Sequence, residues 1–117
     1  MAAESSDDVA LLRRQQKFLH EVEQSIRAAN REIIHGRIPE LNRASFARFA
    51  DLVARLRAEY LHAAFEVSRA EGHGAESSSQ FSRLKEHREA FEEARMAFEA
   101  LQRAIERGYV DIEAHGQ

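Results

Sequence analysis

Glu59-Tyr60-Leu61-His62 sets a carboxylate and an imidazole three residues apart. On a helix that spacing puts both side chains on one face, within reach of a shared cation. Gln15, Tyr60 and His87 form a second polar set. Gln15 and His87 occupy positions at which their helices otherwise carry Leu, Ile, Val or Phe, so both are expected inside, where each donor needs a partner. Ala63, facing them, would leave room for water or an ion. Other chemistry is not supported. Gly72-His73-Gly74 is followed by Ala75-Glu76 and lacks the lysine and hydroxyl of a phosphate-binding loop. The serines cluster at helix starts, where capping accounts for them. There is no cysteine, hence no thiolate and no disulfide framework.

Over four residues, the Glu59 and His62 pair resembles the metal-binding helices of ferritin-like proteins. The resemblance implies a transition-metal site of carboxylates and histidines. Because the chain holds one such motif, the second copy would come from across a dimer interface. The competing reading is a satisfied core pair of Gln15 and His87 that specifies register, with His62 on the surface. His20, His35, His73 and His115 share no ligand spacing, and no helical histidine has the lysine and glycine context of phosphotransfer domains. No catalytic residue and no cofactor is therefore assigned, a metal ion at Glu59 and His62 being the alternative.

These side chains must be positioned by helices. Gly36, Gly72 and Gly108 recur at one interval, each closing a long apolar run, and glycine readily takes the left-handed conformation that ends helices. Ser5 with Asp8 and Ser77 with Gln80 sit at capping-box spacing, and Pro39 suits a connection or first turn. The spacing predicts helices over about 6–35, 42–71 and 78–107 and a frayed tail over 109–117, all in one domain.

Apolar residues step by three and four along each helix. The first offers Leu12, Leu19, Ile26 and Ile33 beside Gln15, Val22 and Ala29; the second Phe46, Val53, Tyr60 and Val67 beside Phe49, Leu56, Ala63 and Ala70. The third repeats the scheme with Leu84, Phe91, Phe98 and Ile105 beside His87, Ala94 and Leu101. This is the seam of an elongated, all-α, antiparallel three-helix bundle running up, down and up, of coiled-coil character.

A further stripe, Ala47, Ala54, Ala58, Leu61 and Phe65, lies on the side of the second helix away from its seam, where an edge helix should be polar. Exposed apolar surface marks association. The stripe predicts a homodimer or higher oligomer, with a helical protein as further partner. Arg48, Arg55, His62 and Arg69 line a flank of the same helix and are expected to pair with acids of the third, such as Glu89, Glu92, Glu93 and Glu99. The Ala90, Ala97 and Ala104 row is expected to pack against a neighbour.

The net charge of −3 lacks the basic footprint of a nucleic-acid binder. No segment has the roughly 20 consecutive apolar residues of a membrane span. Met1 to Asp8 lacks the pattern of a signal peptide, and with the missing cysteines this predicts a cytoplasmic protein. The functional expectation is a non-catalytic helical interaction and oligomerisation protein that binds neither nucleic acid nor membrane.

Overall fold

The computed structural model describes residues 2–38, 40–70 and 74–113. Pro39, Gly72, His73 and His115, which figured in the sequence reading, lie outside them. Three helices make up the fold: α1 (Ala2–His35), α2 (Arg43–Arg69) and α3 (Ala75–Glu106). The protein is all-α and elongated, as its heptad pattern requires, with extents of 80 × 43 × 20 Å.

α2 and α3 form an antiparallel hairpin with their seams face to face. Val53 and Ala63 of α2 and Phe91 of α3 are buried. Phe98 sits between Phe46 and Phe49, with ring centroids at 4.9 and 5.6 Å, and Tyr60 stacks on Phe91 at 5.9 Å. The Arg57 guanidinium lies over the Phe91 ring, 5.1 Å from its centre.

α1 packs against neither α2 nor α3. It is held at its C-terminal end by the segment after α3. Leu41 and Ile112 form an isolated bridge, with the Leu41 N–H donating to the Asp111 carbonyl at 3.0 Å and the Glu113 N–H to the Leu41 carbonyl at 2.8 Å. Val110 is buried at this junction. Asp111 takes Arg31 at 2.6 Å and the His35 Nδ1 at 3.2 Å. Residues 109–113 are thus a docked strap, where a frayed tail was expected. Val110 supplies the buried apolar contact, and Leu41 supplies the backbone partner for the segment around the largely exposed Ile112.

Helix ends follow local chemistry more closely than glycine position. α3 closes as expected: Gly108 has φ 76°, its N–H donates to the Ile105 carbonyl, and Tyr109 N–H donates to that of Ala104. Gly36 does not adopt the left-handed conformation. α1 instead ends in a tightened turn in which Arg37 and Ile38 both donate to the Ile34 carbonyl. The serine capping boxes are also displaced. α1 begins at Ala2 and α3 at Ala75, after Gly74, so Ser5, Asp8, Ser77 and Gln80 lie inside helices that good formers extend by a turn. The capping box that does form opens α2. Asn42 Oδ1 accepts from the Ser45 N–H at 2.8 Å, and Ser45 Oγ accepts from the Asn42 N–H at 3.2 Å.

Candidate interaction surfaces

The expected polar layer requires α1 to lie along the hairpin, and it does not. Gln15 is exposed on α1, beside Arg14, Phe18 and Leu19. His87 is half-buried on α3, in a cleft between α2 and α3 that Glu59, His62, Ala63, Glu66 and Gln80 also line. The layer therefore loses Gln15 and keeps His87 opposite the buried Ala63, while Tyr60 belongs to the aromatic stack. The physical reason is connectivity: a seam position fixes which way a side chain points on its own helix, not which helix comes to meet it.

Glu59 and His62 do share the cleft, which encloses about 240 Å3. His62 Nε2 lies 3.5 Å from Glu66 Oε1. Gln80 Oε1 is buried there without a hydrogen-bond partner among the described residues. Among the described residues no three of His, Asp and Glu come close enough to hold a metal ion. The ferritin-like constellation is thus not assembled among the described residues of one chain.

The basic row of α2 pairs differently from expectation. Arg55 binds Asp51 at 2.7 Å and Arg69 approaches Glu66 at 3.9 Å, both on α2 itself. The α3 acids are likewise taken within their own helix, Glu89 by Lys85 and Glu92 and Glu99 by Arg95. Neighbours one turn away cost less ordering than partners on another helix. The Glu92 hydrogen bond, followed by the charges of Glu92 and Glu99, raises the pKa of Arg95 above the ordinary arginine value.

Two apolar faces stand uncovered. On α2 the outward stripe is exposed throughout: Ala47, Ala54, Ala58, Leu61 and Phe65 all face solvent, Phe65 with 67% of its surface accessible. On α1 the seam itself is bare, with Leu12, Phe18, Leu19, Ile26 and Ile33 each about half exposed or more, Ile33 at 68%. Sequence reasoning found Leu12, Leu19, Ile26 and Ile33 of the second face but assigned them to the core, and did not single out Phe18. Ala90 and Ala97 of α3 are also exposed, with Ala104 half-buried, so the expected close-packing row is covered at one end only. At the junction an open cavity of about 450 Å3 is lined by Leu41, Phe46, Ile105 and Ile112; Phe46 and Ile105 were read as seam residues, while Leu41 and Ile112 were not singled out.

Among the described residues no helix is long and apolar enough to cross a membrane. No protein-family model, no curated protein and no solved structure matches the chain.

Proposed function

We propose that this is a non-catalytic helical protein whose activity is association, and that it associates first with itself. The surface area carries this reading. A compact monomer of 13.4 kDa exposes about 6,500 Å2, whereas this chain exposes 9467 Å2. The radius of gyration makes the same point, at 24.1 Å against about 13 Å for a compact chain of this length. The excess of roughly 3,000 Å2 per chain is more than enough to supply one side of an obligate dimer interface, and the exposed surface includes the two apolar faces of α1 and α2.

Light scattering or sedimentation equilibrium across a hundredfold range of concentration tests the proposal. A homodimer or larger species is the expected result, with dissociation only on dilution. A mass of one chain throughout would sink it.

A further inference from the structure

Building on the self-association just proposed, we infer that the two bare faces cover each other: the α1 seam of one copy lies on the outward α2 stripe of a second, and reciprocally. Three observations favour this occupant over the alternatives.

The first is area. Pairing α2 with α2 leaves the α1 face, with Leu12, Leu19, Ile26 and Ile33, in water. Pairing α1 with α1 leaves Leu61 and Phe65 in water. Exchange buries all of them and uses the surface excess of each chain.

The second is charge. The α2 stripe is bordered on one flank by Arg48, Arg55, His62 and Arg69 at intervals of seven. An antiparallel α2 pair about a two-fold axis sets like flank against like flank, so these rows would face each other. Asp51 and Glu66 reach Arg55 and Arg69 but leave the row net basic. α1 brings the opposite sign. Asp7, Glu21, Glu23 and Glu32 border its apolar face against Arg14 and Arg27, so this border is net acidic. Over whole helices, α2 carries five arginines against three acids, and α1 five basic residues against six acids.

The third is shape. Ala47, Ala54 and Ala58 let a helix axis approach closely, and α1 supplies the large side chains that such a surface accepts, Phe18 and the Leu and Ile row. An alanine row against a second alanine row would bury less.

Complementation between two full-length variants separates the arrangements. Leu19→Glu spoils the α1 face and Phe65→Glu the α2 face. In an exchanged dimer each homodimer has both contacts spoiled. A mixed dimer keeps one contact intact, between α1 of the Phe65→Glu chain and α2 of the Leu19→Glu chain. Each variant alone should therefore dissociate at concentrations where the wild type is dimeric, with affinity reduced roughly 30-fold or more. An equimolar mixture should regain a species of one chain of each kind, which native mass spectrometry resolves by mass. If only Phe65→Glu dissociates, α2 pairs with α2. If only Leu19→Glu dissociates, α1 pairs with α1. If neither dissociates, or both do and the mixture stays monomeric, exchange is overturned in those cases too. A monomeric wild type instead defeats self-association itself. The near-ultraviolet signal of the hairpin aromatics checks folding. If either variant loses that signal, Leu12→Glu with Ala58→Glu repeats the test on the same two faces with the same readings.

Discussion

α1 and the α2–α3 hairpin are written in the same pattern and meet opposite fates. Each helix carries large apolar residues at intervals of seven with a second row three residues on. In the hairpin those rows bury Val53, Ala63 and Phe91; on α1 Leu12, Leu19, Ile26 and Ile33 remain accessible to water. The difference teaches that periodicity declares a face to be buried without naming what buries it. Two of the three faces find each other in the α2–α3 hairpin, whereas α1, on a connection to α2 of comparable length, does not fold back. The third is satisfied by none of the chain's own helices, and an isolated helix draws little stability from propensity alone.

Paired substitutions make the contrast measurable. The largest effect is expected at the aromatic centre. Phe91→Ala removes a ring packed under Tyr60 and Arg57 and should cost about 3–5 kcal/mol, whereas Phe18→Ala on α1, 63% exposed, should stay within about 0.5 kcal/mol for the dissociated chain. Denaturant midpoints measured in dilute solution check both. Equal costs would mean that α1 is packed in solution as the hairpin is, and would break the comparison.

Helix closure gives a smaller but sharper contrast. Gly108→Ala forces a Cβ onto a backbone with φ 76° and should destabilise by about 1–2 kcal/mol. At Gly36 an added Cβ would meet the Ile33 and Glu32 carbonyl oxygens at 3.4 and 3.9 Å, both ordinary contacts. Gly36→Ala should therefore be neutral, or stabilising by up to about 1 kcal/mol through the unfolded state. Thermal melts of the two variants decide this, and a costly Gly36→Ala would place a left-handed residue at both helix ends.

The smallest effect is expected where the two regions meet. Asp111→Asn weakens the ties to Arg31 and His35, partly exposed ion pairs worth about 1 kcal/mol or less, so the melting temperature should scarcely move. The position of α1 should move instead. Spin labels on α1 and α2 would report a broader distance distribution in the variant, and an unchanged distribution would show that the Leu41–Ile112 bridge alone orients the helix.

How much of this was legible follows from how far each feature reaches along the chain. The three helices, the Gly108 closure and the facing seams of α2 and α3 depend on neighbours within a turn or on one repeated interval, and they could be read. So could the outward alanine stripe of α2, because it lies opposite its own seam. Gln15 and His87 could not be brought to their true surroundings from spacing, since their meeting presumed that α1 folds back. The α2 arginines were given partners on α3 when Asp51 and Glu66 stood one turn away. Asp111 left no mark at all: an ion pair across so long a separation has no period, and only the apolar Val110 and Ile112 hinted that the segment around it would dock.

The strap after α3 imposes an order of dependence on the molecule. In an open chain, joining Arg31 to Asp111 would close a loop of some eighty residues, with the entropic penalty that implies. Once the hairpin exists, Asn42 and Glu106 already line the same cavity, and only short connections remain to be closed. Seating α1 is therefore conditional on α2 and α3 having found each other, while their pairing owes nothing to α1. Loss of the hairpin must set α1 adrift, but α1 can let go and leave the hairpin standing.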